Sequence, residues 1–307
     1  MAVSGHSCGE MGGERMKKIV ITGALGHIGS SLIWPLAWNP EYATYKIVLI
    51  DDLSTQRYCS LFGLKRGRCR FVEADIRKAD LVPILEDAEA CIHLAARTNA
   101  EDSFKHPDEF VEVNVWGTRM VADACLVAGV PLIFASTTSV YGPPSPYSDS
   151  KIEAEILIKL TTNLRLATNL RYKIFRFGTI VGPSPGMRFH TAVNKFCWQY
   201  SVGQPITVWT PAIDQVRPYC ALEDASKTIL NTLKLSDYDN STTDIVTAHH
   251  TVREILNFID PNIKPIFVDS PAMNQVSYRA EKELGVVNTI PNEIQATLRL
   301  LGGLTRA

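Results

Sequence analysis

One segment constrains this chain more than any other: Ile19-Val20-Ile21-Thr22-Gly23-Ala24-Leu25-Gly26-His27-Ile28-Gly29. It opens as a continuous apolar run, which suits a parallel strand buried on both faces. It then turns through small residues and enters a helical pattern. The glycines are spaced G-x-x-G-x-x-G. Residues without a Cβ let backbone amides approach a pyrophosphate, and the helix that follows offers unpaired N–H groups to an anion. Three glycines are often only a turn; a strand before and a helix after them point to a dinucleotide cradle. Gly23, Gly26, His27, Ile28 and Gly29 are the candidate cradle residues.

The rest of the front half repeats this alternation of apolar runs and helical patterns, as βαβ units do. Strands are expected at Lys18–Thr22, Tyr45–Ile50, Cys69–Glu73, Ala90–Leu94, Pro131–Ser136 and Tyr172–Arg176. Helices are expected at Ile28–Trp38, Asp80–Glu86, Asp108–Ala128 and Tyr147–Thr162, with a kink at Pro35. The expected fold is α/β, a doubly wound parallel sheet of Rossmann type with a smaller, interwoven C-terminal α/β lobe. The boundaries read as an N-terminal extension over 1–15, a dinucleotide-binding domain over 16–182 and a substrate lobe over 183–307. Within that lobe, 216–233 is expected to return to the first domain, with Val216–Cys220 completing its sheet. The second strand ends in Asp51 and Asp52, about 20 residues past the last glycine, where a carboxylate holds ribose hydroxyls. Two adjacent acids also repel a 2′-phosphate, so NAD is favoured over NADP. The alternative for these acids is a plain loop opening.

Bulk properties exclude several classes. Net charge is −1 and 21% of residues are charged, which gives no electrostatic case for nucleic acid or membrane partners. No apolar run reaches the length of a membrane helix. Seven cysteines, widely spaced and without C-x-x-C, read as thiols in a reducing compartment, and a cytoplasmic location is expected. Residues 1–15 lack the apolar core of a signal peptide and read as a disordered extension ahead of Met16.

The candidate chemistry lies further on. Tyr147-Ser148-Asp149-Ser150-Lys151 places a phenol and an ammonium at i and i+4, on one helical face. A nearby cation and a positive nicotinamide ring should lower the phenol pKa from about 10. Tyr147 could then take a hydroxyl proton while hydride leaves the same carbon. By itself Tyr-x-x-x-Lys also occurs on solvated helices. What precedes it is a strand ending Ala135-Ser136-Thr137-Thr138-Ser139-Val140-Tyr141, and the carboxyl end of such a strand faces the ligand crevice. Ser136, Thr137 and Thr138 are candidate hydroxyls; the bland reading is a strand end that satisfies its own backbone. His93 has no second metal-ligating residue at suitable spacing and reads as structural.

Together, TGALGHIG, VLIDD, EADI, CIHLAA, VNVWGT, FASTTSVYG, YSDSK and FRFGTIVGPSPGMRF resemble the extended short-chain dehydrogenase/reductase family, in particular its nucleotide-sugar epimerases and dehydratases. They run in order from about residue 17 to about 225, and the last eighty residues match more loosely. The resemblance implies that Asp75 and Ile76 flank the adenine, that Leu94, Ala95 and Ala96 line the cofactor path, and that Asn114 supports the active-site network. It makes Tyr147 the base, Lys151 its partner and Thr137 the substrate-binding hydroxyl. It assigns Asn194 and Arg217 to the nucleotide and its diphosphate, with Arg188 and Arg279 as further phosphate candidates. Away from the family, Arg217 could be a surface charge and Asn194 an ordinary helix residue. Homodimers through the helices Asp108–Ala128 and Tyr147–Thr162 are also implied.

The family's dehydratases carry Asp-Glu directly after the threonine, where this chain has Thr138 and Ser139; its decarboxylases keep a glutamate at the second position. Neither hydroxyl does acid/base work at neutral pH, so dehydration and decarboxylation are disfavoured. A 4-epimerase needs only Thr137, Tyr147, Lys151 and NAD, and that is the expected activity, on a nucleotide sugar. A dehydrogenase or reductase with exchangeable cofactor uses the same residues and is the alternative. A dinucleotide sensor without catalysis is a third reading, against which the intact trio argues. Two departures bear on the substrate. Only GPPSP separates Tyr141 from Tyr147, a short loop that should leave the pocket more open. Thr179 stands where many members have an asparagine that contacts the diphosphate.

Overall fold

The computed structural model describes residues 16–64, 67–163, 169–269, 277–280 and 284–302, so the extension expected over 1–15 lies outside the described residues. In chain order the elements are β1 (Lys17–Thr22), α1 (His27–Trp38), β2 (Tyr45–Asp51), β3 (Cys69–Glu73), α2 (Val82–Leu85), β4 (Ala88–His93), α3 (Ala100–Ser103) and α4 (Pro107–Phe110). A π-helical segment, Val111–Trp116, leads into α5 (Gly117–Ala128), followed by β5 (Leu132–Thr137), α6 (Pro146–Asn163), β6 (Tyr172–Phe177), β7 (Thr179–Val181) and α7 (Ala192–Ser201). The chain continues through β8 (Thr207–Trp209), β9 (Val216–Ala221), α8 (Leu222–Leu235), β10 (Ser241–Ile245), β11 (Ala248–Thr251), α9 (Val252–Ile259), β12 (Ile266–Val268) and α10 (Ile290–Leu301).

Seven parallel strands form the main sheet in the order β10-β6-β5-β4-β1-β2-β3. The apolar runs are explained by burial on both faces. Ile19 and Ile21 of β1, with Ile47 and Leu49 of β2, pack under Leu32 and Leu36 of α1 and Ile229 of α8. Their neighbours Val20, Val48 and Ile50 point the other way, into a core with Val121 of α5 and Ile158 of α6. Each such side chain contributes about 1.5–3 kcal/mol by leaving water. A third core joins β9, α7, α9 and α10 through residues such as Tyr219, Phe196, Ile255 and Ile294. The strand order reverses beside β1 and β4, and the carboxyl ends there open the crevice that such sheets use for ligands.

Val216–Cys220 is a strand, as expected, but it does not complete the main sheet. It is β9 of a three-stranded sheet, antiparallel to β11 and parallel to β7. The chain leaves the main sheet at Gly178, where a Cβ would come within 2.9 Å of the Tyr219 carbonyl carbon; the missing side chain lets β9 pass this close. The seventh strand is β10, Ser241-Thr242-Thr243-Asp244-Ile245, paired with β6. An edge strand needs partners on one side only, so it lacks the long apolar run that marked the others. The helix after β9, α8, does return to the face of α1. One helix also differs from expectation. The helix near 80–86 is one turn, with Pro83 in that turn and Asp87 at φ 60 behind it. Pro35 lies inside α1, which runs to Trp38 as expected. Among the described residues no helix is long and apolar enough to cross a membrane.

Candidate active site

The glycine turn is shaped by close contacts. Gly23 sits at φ +63, and a Cβ on it would lie 2.5 Å from the Ala95 nitrogen. A Cβ on Gly29 would lie 2.5 Å from the Ala24 carbonyl oxygen. These two glycines bring the turn against the end of β4 and α1 against the turn. Gly26 caps α1, and no side chain caps that helix. Its first amides are therefore available to an anion. The His27 ring serves the scaffold instead: its Nε2–H donates to the Gly182 carbonyl at 2.7 Å, and burial, with Arg188 and Arg57 nearby, lowers its pKa to about 4.

Asp51 stands at the end of β2 and accepts the Leu25 amide at 3.0 Å and the Leu53 amide at 3.1 Å. Its carboxylate so ties the glycine turn to the second strand and keeps acceptor capacity for ribose hydroxyls. Burial raises its pKa against those two hydrogen bonds. Asp52 is exposed and caps the Ser54 amide at 3.0 Å. Asp75 is held by Arg77 through Nε–H at 3.0 Å and Nη2–H at 2.7 Å, and Ile76 is buried beneath Gly117.

A cavity of about 490 Å³ runs from the glycine turn past the end of β5 into the C-terminal lobe. Of the cofactor candidates, Gly23, Gly26, His27, Ile28, Gly29, Leu94 and Ala96 line it, whereas Asp51, Asp52, Asp75, Ile76, Ala95 and Asn114 lie behind or beside it. Asn114 sits in the π-helical segment with no exposure. It accepts the Arg97 amide at 2.8 Å and donates to the Arg97 carbonyl at 3.0 Å and to Ser150 Oγ at 2.9 Å. It thereby pins the loop after β4 to α6, one residue before Lys151. π-Helical turns often mark such functional places.

Thr137, Tyr147 and Lys151 all line the cavity. The Thr137 hydroxyl donates to Ser139 Oγ at 3.1 Å and acts on the Tyr147 phenol to lower it. Burial pushes Tyr147 up to about 12, only partly offset by Thr137 and Arg188. Lys151 Nζ lies 4.1 Å from the Phe134 ring centroid, and burial lowers its pKa to about 7 against the pull of Glu155. Spacing alone could not foresee how deeply Lys151 is buried.

Ser136 lines the cavity, yet its hydroxyl donates to Glu155 Oε1 at 2.6 Å. Glu155 also accepts Arg176 at 2.8 and 2.7 Å. Burial works to raise the Glu155 carboxyl, but Arg176 and Ser136 hold it below its usual range. Thr138 turns away from the cavity to the Phe177 carbonyl, at 3.3 Å, because it points to the opposite face from Thr137.

The phosphate candidates separate. Arg188 lines the cavity beside the glycine turn, with Nη2 3.9 Å from where a Gly26 Cβ would lie, and hydrogen-bonds Thr98. Burial, and then the charge of Arg57, lowers it to about 10. Asn194 does not line the cavity: Nδ2 donates to the Arg188 carbonyl at 2.8 Å, while Oδ1 is buried without a partner. Arg217 and Thr179 line the cavity; Arg217 is no surface charge, and its Nε is buried without a partner. Arg279 is exposed and off the cavity. Its neighbour Tyr278, which no motif singled out, is in the cavity instead. Sequence reasoning also missed His190, Arg57 and the Glu155–Arg176 pair. His93 is fully buried between Thr22 Oγ1 and Thr118 Oγ1, at 2.7 and 3.0 Å, and burial lowers it to about 3. Among the described residues no cluster suited to a metal ion occurs.

The cradle residues fit NAD. A glycine turn that any Cβ would fill, an uncapped helix start and a ribose-side carboxylate at the end of β2 are the donor and acceptor set a dinucleotide requires.

Comparison with known proteins agrees with this geometry. A trifunctional UDP-glucose 4,6-dehydratase/UDP-4-keto-6-deoxy-D-glucose 3,5-epimerase/UDP-4-keto-L-rhamnose-reductase of Arabidopsis thaliana is 28% identical over 295 residues, covering 85% of this chain and 43% of that protein. The chain thus spans less than half of that relative's length. An uncharacterized UDP-glucose epimerase of Bacillus subtilis is 29% identical over 235 residues, covering 69% of this chain and 71% of that one. The solved UDP-N-acetylglucosamine 4-epimerase of Methanobrevibacter ruminantium superposes with a TM-score of 0.82 at 20% identity, covering 94% of this chain and 100% of that one, which shows the shared fold. The model of the NAD dependent epimerase/dehydratase family matches residues 19–246. The chain belongs to the NAD-dependent epimerase/dehydratase family.

Proposed function

We propose that the chain is a nucleotide-sugar 4-epimerase, which oxidises the sugar C4 hydroxyl to a ketone and returns hydride to the opposite face. One observation carries this reading. Thr137, Tyr147 and Lys151 line one cavity with the glycine turn, while the two residues after Thr137 are hydroxyls and not carboxylates. NAD, when bound, supplies the hydride acceptor and a positive ring charge.

Thr137 orients the C4 hydroxyl and Tyr147 accepts its proton. A phenol raised to about 12 is a poor base at neutral pH, so positive charge at the site must favour its anion during the reaction. Arg188 already acts in that sense. Lys151, held near neutrality, can take and give a proton at pH 7 and so relay between Tyr147 and water. Asp51 orients the ribose side, and Arg188 and Arg217 serve anionic groups, with Arg217 Nε open to an acceptor.

The Asp108–Ala128 and Tyr147–Thr162 stretches carry exposed apolar residues, Trp116, Met120 and Val127 on one and Ile152, Ile156 and Leu160 on the other. We assign them to a homodimer interface. The third core, built from α7, α9 and α10, supports a substrate lobe that begins near residue 183. The six free thiols among the described residues support a cytoplasmic location.

The test is to denature purified protein and assay the supernatant for NAD(H). Native protein is then incubated with UDP-, GDP-, CDP- and dTDP-sugars without added cofactor. Bound NAD and an isomer of unchanged mass are expected. Turnover only on supplied NAD or NADH would replace this reading by a dehydrogenase or reductase, and loss of water from the sugar by a dehydratase.

A further inference from the structure

Tyr278 belongs to residues 277–280, between β12 and α10. Its amide donates to the Val216 carbonyl at 3.2 Å, and the Ala280 amide donates to His249 Nε2 at 3.1 Å. The stretch is thus laid along β9 and β11. The ring fills space beside the short GPPSP loop: a Cβ on Gly142 would come to 2.8 Å from Tyr278 Cδ1. The pocket expected to be open there is closed by an aromatic ring from the other end of the chain.

The Tyr278 hydroxyl lies 3.1 Å from Ser139 Oγ, which is itself 3.1 Å from Thr137 Oγ1. The charge of Arg217 and the hydroxyl of Thr138 also act on it. The Arg217 guanidinium carbon is 5.7 Å from the ring centroid. Burial by itself would raise this phenol; Arg217, Ser139 and Thr138 overcome it and hold it below the ordinary tyrosine value. The remaining titratable groups that face it are Tyr147 of α6 and Tyr219 of β9. Two phenols therefore line one cavity with their pKa values pushed in opposite directions. Tyr147 is kept protonated by burial, and Tyr278 is biased toward its anion by a buried cation.

We propose that Tyr278 is a second proton-transfer residue of this site, acting on a hydrogen of a carbon adjacent to the sugar ketone. The proposal rests on the nucleotide-sugar oxidation reading above. Loss of hydride from C4 leaves a carbonyl, and the C–H bonds at C3 and C5 become acidic. One of these bonds breaks. Its proton goes to the Tyr278 oxygen, and its electron pair forms the carbon–carbon double bond of an enolate. The negative charge gathers on the C4 oxygen beside the hydroxyls of Thr137 and Tyr147. Return of the proton restores the ketone, and no outside oxidant or reductant is consumed. The phenol exchanges with water in between, so a carbon-bound hydrogen exchanges with solvent. Epimerisation at C4 by hydride transfer alone exchanges none.

The experiment incubates NAD-loaded protein in D₂O with UDP-glucose, UDP-glucuronate, dTDP-glucose and UDP-N-acetylglucosamine. NADH absorbance is followed, and the recovered sugars are examined by mass spectrometry and NMR. Wild type is expected to place deuterium on C3 or C5. In Tyr278→Phe, deuterium incorporated per NAD reduced should fall about 100-fold or more, the scale of a lost general base. Isomerisation by wild type without carbon-bound deuterium overturns the proposal and leaves the epimerase reading standing. So does an unchanged ratio in Tyr278→Phe. Absence of both NADH and isomer with all four sugars defeats the epimerase reading itself. A second measurement needs no sugar: tyrosinate absorbance is titrated in wild type and Tyr278→Phe. The phenol lost in the variant should be one that ionises below free tyrosine. If it is one that ionises at or above the ordinary value, the proposal fails.

Discussion

At the residue scale the site is governed by burial. Tyr147→Phe removes the proton acceptor and keeps the ring, so turnover should fall by about 10²–10⁴-fold while NAD affinity, measured by calorimetry, stays within a few-fold. A non-catalytic dinucleotide sensor would show no such loss. Lys151 has a folded pKa of about 7 against 10.5 when unfolded. Its burial cost is fully present below about 7 and disappears as pH rises to about 10.5. Lys151→Met should therefore abolish turnover and raise Tm at pH 6, with a smaller gain at pH 9.5. An equal gain at both values would show that Lys151 is not depressed. Gly29→Ala is expected to cost at least about 1–3 kcal/mol, because its Cβ meets backbone rather than a side chain that can move. It should also weaken NAD binding through the shifted helix start, read by the same calorimetry.

Elements matter here through what fixes them to each other. The end of β5, α6 and β6 are joined by Ser136, Glu155 and Arg176, and Arg176 passes the connection on to Tyr141 at 2.8 Å. Glu155 is 3% exposed and Arg176 21%, so removing one partner strands a buried charge. Glu155→Gln should cost about 3 kcal/mol in urea unfolding, the low end for breaking a buried pair. The pair carries a pH signature as well. Because the Glu155 carboxyl is held low, its contribution is present above the usual carboxylate range and is lost as pH falls through the lower folded value. The variant should lack that part of the acid destabilisation. The π-helical segment is tied in the same manner by Asn114, to the loop after β4 and to α6.

For the whole molecule, the open question is how many copies form the working unit. Leu160 is 61% exposed and Trp116 58%, on the two helices that pack together behind the active site. Apolar side chains at i, i+4 and i+8 on α6 make a stripe that a second copy can cover. Wild type should sediment as a dimer and Ile156→Asp as a monomer at the same concentration. A monomeric wild type ends the interface assignment. Dimer loss should also reduce activity, since α6 carries Tyr147 and Lys151 on the face opposite that stripe.

What the residues determined alone is local and periodic. Ile19–Thr22 and Gly23–Gly29 specify strand, turn and helix because side-chain alternation and missing Cβ atoms act within a few positions. Six of the seven main-sheet strands and the cofactor class were legible for this reason, and the Thr137–Tyr147–Lys151 set was legible through the family resemblance. Tertiary structure decided the rest. β9 joined the second sheet because Gly178 lets its backbone approach, while the polar β10 took the edge that apolar pattern could not announce. Burial, which no short window reveals, pushes the Tyr147 phenol up and the Lys151 ammonium down. Tyr278 was out of reach of any motif: its meeting with Ser139 spans 139 positions and exists only when the C-terminal lobe closes on the sheet.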